Sequence, residues 1–150
     1  MKELRYLTQE EKDKTRSLWE AIFPEDEGAF LDYYYSVKTK DNEIAAVEID
    51  GQIRSMLQLN PYCLKIGHTS AECAYVIAVA TEENYRHRGL MRELLLKTMS
   101  DRYAKKQPFM FLIPANEDIY KPFGFRFVME QYHREVSPGR EGSYQKQRRY

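Results

Sequence analysis

Residues 74 to 96 constrain the fold more than any other part of the chain. Ala74 to Ala80 is uncharged and nearly all apolar, the pattern of a strand buried on both faces. Glu82 to Tyr85 break the run, and from Leu90 the apolar residues Leu90, Met91, Leu94, Leu95 and Met99 recur at helical spacing. A strand that enters a helix through a short polar corner leaves the first helical amides without acceptors. The helix dipole adds partial positive charge at the same place. Arg86, His87, Arg88 and Arg92 surround the corner with cations, and Gly89, lacking a Cβ, lets a ligand approach the main chain. The stretch therefore predicts an anion site, suited to a phosphate or pyrophosphate.

The remaining elements follow in order. Residues 3 to 7 read as a first strand, and Thr8 to Glu11 is a capping box. The helix behind it runs through Leu18, Trp19 and Ile22 and stops at Pro24. A second helix is expected over Glu25 to Val37, carrying Phe30, Leu31, Tyr33, Tyr34 and Tyr35. Asp50-Gly51 joins a strand over Ile44 to Ile49 to one over Ile53 to Leu59. Asn60-Pro61 then reads as a break, with Tyr62 to Ile66 a further short strand. Residues 71 to 80 form the next strand, Gly89 to Tyr103 a helix, and Phe109 to Ile113, between two prolines, a central strand. This order is that of an α/β (α+β) domain with a mixed sheet.

Equal numbers of basic and acidic residues, 23 each, provide no overall field for nucleic acid or a membrane surface. Cys63 and Cys73 are too few for a zinc site and contain no Cys-x-x-Cys spacing. They are read as buried free thiols of a cytoplasmic protein, a cross-strand pair being the alternative. No apolar signal core opens the chain, and no run approaches membrane-spanning length.

Arg86-x-x-Gly89-x-Met91, after a strand ending Val79-Ala80-Thr81, resembles the acetyl-coenzyme A signature of the GNAT superfamily of N-acetyltransferases. That signature is Gln/Arg-x-x-Gly-x-Gly/Ala, and Met91 departs from its last position. The run Tyr85-Arg86-x-Arg88-Gly89-Leu90-Met91-Arg92 is similar to the N-terminal catalytic domain of the Eis-like (enhanced intracellular survival) branch. So is Ile119-Tyr120-x-x-Phe123-Gly124-Phe125 further on. The two motifs stand in family order, with a helix and a strand between them. The resemblance implies a mostly antiparallel sheet flanked by helices, with two central strands, Ile77–Thr81 and Phe109–Ile113, splayed around acyl-CoA. It implies backbone contacts to the cofactor from Ile77, Val79 and Thr81, pyrophosphate contacts from Arg86, His87, Arg88 and Gly89, and a further cofactor contact from Leu90. It makes Tyr120 the general acid that protonates the departing thiolate.

The expected function is therefore an acetyl-CoA-dependent N-acetyltransferase acting directly on a primary amine, with no metal. The rival readings are a non-catalytic acyl-CoA-binding or scaffold domain of the same fold, and a fragment of a larger Eis-like enzyme. Glu72, Glu48 and His68 are the candidates for a base, each equally read as a surface or strand-edge residue. Glu25, Asp26, Glu27 and Asp32 either line an acidic acceptor groove or solvate a helix. The domain is assigned to residues 1–136, with a strand over Phe127 to Val136, and residues 137–150 to a tail, linker or irregular edge strand. Self-association is left open.

Overall fold

The computed structural model describes residues 1–130, and the chain divides into two units, Met1–Leu112 and Ile113–Tyr150. In the first unit, five strands form one sheet in the order β1-β2-β3-β4-β5: β1 Lys2–Tyr6, β2 Glu43–Ile49, β3 Gln52–Ile66, β4 Thr69–Thr81 and β5 Met110–Phe111. The first three junctions are antiparallel and β4–β5 is parallel. Helices α1 Arg16–Ile22, α2 Gly28–Val37 and α3 Leu90–Ala104 flank the sheet. The mixed α/β arrangement expected from the element order, and the mostly antiparallel sheet implied by the resemblance, are the ones found.

The alternation of side chains along a strand decides which face each helix takes. Lys2 and Tyr6 share one face and reach α3, bonding Glu93 at 2.6 Å and Asp101 at 2.7 Å. Arg5 points the other way, where its guanidinium holds both oxygens of Glu11 and one of Glu48. Gln58 lies on that second face and donates to the Tyr35 hydroxyl of α2. Trp19 is fully buried there, with ring centroids 4.8 Å from Tyr34, 6.0 Å from Tyr35 and 6.2 Å from Phe30. Polar groups under α2 bond among themselves, although the Asn42 side-chain oxygen has no partner among the described residues. The Tyr34 hydroxyl accepts from Asn42 and Asn60, and the Lys12 ammonium donates to the carbonyls of Thr39 and Asn42. The aromatic cluster thus packs the core.

Four elements differ from their expected extents. The capping box forms, with the Thr8 amide donating to Glu11, but it opens a 3-10 segment, Gln9–Thr15, before α1 begins. Helix α2 starts at Gly28, because Asp26 closes a turn onto the Phe23 carbonyl and accepts the Trp19 indole N–H at 2.7 Å. Asn60-Pro61 does not break β3. The β2 ladder has already ended at Glu43↔Leu59, so the proline sits where one side of the strand has no neighbour to lose. Beyond that point β3 and β4 continue as a two-stranded arm ending at Ile66↔Thr69. β5 spans two residues rather than Phe109 to Ile113.

Cys63 faces Glu72 and Cys73 faces Tyr62, so the two cysteines are out of register and both are free. Cys73 is buried as expected, whereas Cys63 is exposed on the arm. Residues 127–130 form no strand. The rest of the strand expected over Phe127 to Val136, and the tail of residues 137–150, lie outside the described residues.

Burial pushes the Tyr75 phenol up to about 12. A phenol whose pKa is higher folded than unfolded contributes stability below pH 10 that is lost as pH rises toward 12. Between pH 9 and 11.5 the stability of the wild type relative to Tyr75→Phe should fall by about 1 kcal/mol, the full shift being reduced because the ring is partly solvated. Urea unfolding at the two pH values measures it, and an unchanged difference would mean Tyr75 is solvated.

Candidate active site

The anion corner is built at the end of β4. Ile77 pairs with Gln58 and Ala80 with Met56, so Ala78 and Val79 together oppose Leu57. This is a β-bulge, and Ala78 takes φ +50° within it. The small side chain suits a backbone region that β-branched residues avoid. On its other side β4 pairs with β5 only at Ala74 and Tyr75. From Val76 onward that edge of β4 has no ladder partner among the described residues. Ile77, Val79 and Thr81, assigned by sequence to backbone contacts, all lie on this unpaired length.

After Thr81 the Glu82 amide returns to the Arg54 carbonyl at 2.8 Å, and Glu83–Tyr85 makes one 3-10 turn. Arg86 is extended, His87 takes φ +61° and Gly89 φ +77°, and α3 begins at Leu90. A side chain added at Gly89 would meet nothing within 4 Å, so its requirement there is conformational. Glu93 is the first residue of α3 whose amide finds a backbone acceptor, Gly89 at 3.0 Å. The amides of residues 87 to 92 have none among the described residues. Alternating positive φ with a run of free amides makes an anion-binding concavity at a helix start.

The surrounding charges leave the corner cationic. Glu82 is engaged by Arg54 and Glu93 by Lys2. Arg86, His87, Arg88 and Arg92 are exposed. Arg86 donates to the Thr81 carbonyl at 3.3 Å, and Arg88 to the Asn84 carbonyl at 3.0 Å. Leu90 is buried and anchors the helix start, and Met91 is partly buried. The structure thus brings Arg86, His87, Arg88, Gly89 and Leu90 onto one turn. Three participants were given no role from the sequence: Ala78 at the bulge, Arg54 beside the turn, and Tyr85, which opens the motif. A bulge between fully buried residues leaves no break in the apolar pattern. Arg54 belongs to another strand, and no motif links it to residue 85.

Tyr120 lies in the second unit. The expected short helix is two 3-10 turns there, Glu117–Ile119 and Lys121–Phe123, with Tyr120 between them. Pro122 supplies no N–H and disfavours helical geometry at the residue before it. The Asn116 side chain accepts the Asp118 amide at 3.0 Å and starts the first turn, and Gly124 at φ +87° ends the second. The Tyr120 ring meets Phe125 edge-on at 5.7 Å rather than Phe123, and burial pushes its phenol up.

The other candidates are spread out. Glu48 is tied to Arg5 at 2.9 Å, whereas His68 and Glu72 are exposed on the β3–β4 arm. Of the proposed acidic groove, Asp26 is buried and accepts the Trp19 N–H, Asp32 pairs with Arg16, and Glu25 and Glu27 are exposed. A groove of about 520 Å³ lies between α1 and the β2–β3 turn, lined by Leu7, Leu18 and Ile53 together with Glu48, Arg54 and Glu82.

A family model described as "Acetyltransferase (GNAT) domain" matches residues 3–128. No curated protein matches the sequence. Among solved structures, the chain is similar to a conserved protein of unknown function from Enterococcus faecalis V583, described as a probable N-acyltransferase. That likeness has TM-score 0.77 and 18% identity, over 83% of this chain and 32% of the other. It is also similar to an acetyltransferase from Trypanosoma brucei, with TM-score 0.71 and 17% identity over 91% of this chain and 100% of that one. A predicted acetyltransferase from Clostridium acetobutylicum, solved with acetyl-CoA, gives TM-score 0.73 and 13% identity over 90% and 96%. At these identities the likeness is one of fold. The chain spans about a third of the E. faecalis protein and the full length of the T. brucei one.

Proposed function

The chain belongs to the GNAT acetyltransferase family, and we propose that it moves an acetyl group from acetyl-CoA directly to a primary amine. The observation that carries this reading is the β4–α3 turn, with free amides over residues 87 to 92 framed by arginines. Arg86, His87, Arg88 and Gly89 are assigned to the pyrophosphate, Leu90 to a further cofactor contact, and the unpaired edge of β4 at Ile77, Val79 and Thr81 to the pantetheine arm. The bulge at Ala78 changes the direction of the main chain where the thioester is expected. One well-placed amide on the developing oxyanion, assigned near Val79, is worth about 3 kcal/mol.

In the reaction the neutral amine nitrogen attacks the thioester carbonyl, and the carbon–sulfur bond breaks as the amide forms. The thiolate takes the Tyr120 proton, and the amine gives up its own to solvent or to a base. Tyr120 suits this role because a phenol remains protonated at neutral pH. The finer assignment is to the Eis-like branch. It rests on the two motifs around Tyr85 and Tyr120. Residues 1–136 form the acetyltransferase domain in this reading, in a cytoplasmic protein. No helix among the described residues is long and apolar enough to cross a membrane.

Calorimetric titration with acetyl-CoA tests the assignment. The double substitution Arg86→Ala/Arg88→Ala should weaken binding by roughly tenfold per arginine, the worth of a charge-assisted hydrogen bond. Wild-type protein that is folded yet binds no acetyl-CoA would overturn the reading.

A further inference from the structure

Tyr85 is held by two arginines, Arg54 from β3 and Arg88 from the turn before α3. The Arg54 guanidinium carbon lies over its ring at 4.6 Å from the centroid, and that of Arg88 at 4.7 Å. Arg54, the third residue of β3, is fixed twice by Glu82, through their ion pair and through its carbonyl accepting the Glu82 amide at 2.8 Å. Arg88 is otherwise an exposed side chain with one bond, to the Asn84 carbonyl at 3.0 Å. Its Nε and Nη1 donors have no protein partner among the described residues. A long cation of this kind loses much rotamer freedom when it binds an anion.

We infer that Tyr85 and Arg54 are positioning residues for the cofactor turn. Braced on β3, the aromatic ring holds Arg88 with its free donors available to a phosphate before the ligand arrives. The inference rests on the acetyl-CoA reading of this turn. Glu82 neutralises the Arg54 charge, so Arg54 serves the ring and leaves Arg86 and Arg88 to meet the ligand. The phenol oxygen has no role in this arrangement, and the face of the ring supplies the attraction.

The test is a comparison of Tyr85→Leu, Tyr85→Phe and Arg54→Gln with the wild type. It uses acetyl-CoA binding by calorimetry, KM and kcat with an accepted amine, and the thermal midpoint. Tyr85→Leu should raise Kd and KM for acetyl-CoA roughly fivefold and Arg54→Gln roughly threefold, with kcat retained. Tyr85→Phe should restore wild-type values. A Tyr85→Leu protein that binds as the wild type does would overturn the positioning role while leaving the acetyl-CoA reading intact. A Phe variant as weak as the Leu variant would also overturn it. Absence of binding by the wild type would remove both. If Tyr85→Leu does not fold, Arg54→Gln decides: unchanged affinity there overturns the inference.

Discussion

Replacing Tyr120 with phenylalanine is expected to lower kcat by about a hundredfold or more, while acetyl-CoA affinity stays within about threefold. The substitution removes one oxygen and keeps the ring that meets Phe125 edge-on, so the loss would report proton transfer rather than packing. Burial raises the phenol above its ordinary value. Tyr120 should therefore remain protonated near neutrality, and the wild-type kcat should show no alkaline fall from this group below about pH 9. Steady-state kinetics of both proteins across pH 6 to 10 measure the effect. A kcat reduced less than threefold would make Tyr120 a packing residue.

The largest loss of stability is expected from Trp19→Ala, at about 3–5 kcal/mol. Trp19 is fully shielded, its ring is edge-on to three aromatic neighbours, and its N–H donates to Asp26. A domain of this size has only about 5–15 kcal/mol to lose, so the variant should stand near the threshold of folding. Trp19 is the sole tryptophan, so urea unfolding must be followed by circular dichroism rather than fluorescence. Trp19→Phe should lose less, because it keeps most of the ring contacts and gives up the N–H bond. A loss below 1 kcal/mol in the alanine variant would show the cluster to be peripheral.

Local chemistry explains what could be read in advance. Asp50 and Gly51 both take positive φ, as Asp-Gly between two apolar runs implies. The apolar run before Thr81 and the helical spacing after Gly89 fixed β4, the turn and α3 to within two residues. Pro61 misled because its effect depends on whether a neighbouring strand is present, and β2 has ended by then. The bulge was hidden for a related reason. Ile77 and Ala80 are both buried, so the change of phase between them leaves no polar residue out of place. The Arg54–Tyr85–Arg88 stack depends on residues distant in sequence. Propensity has no bearing on it.

The free amides at the start of α3 carry one more consequence. Main-chain N–H groups and arginines keep the same charge from mildly acidic to strongly alkaline conditions, and neither is readily oxidised. The grip on an anion is therefore nearly constant with respect to acid and redox state. Because the turn is exposed, mobile ions reach it, and ionic strength becomes the condition that loosens it.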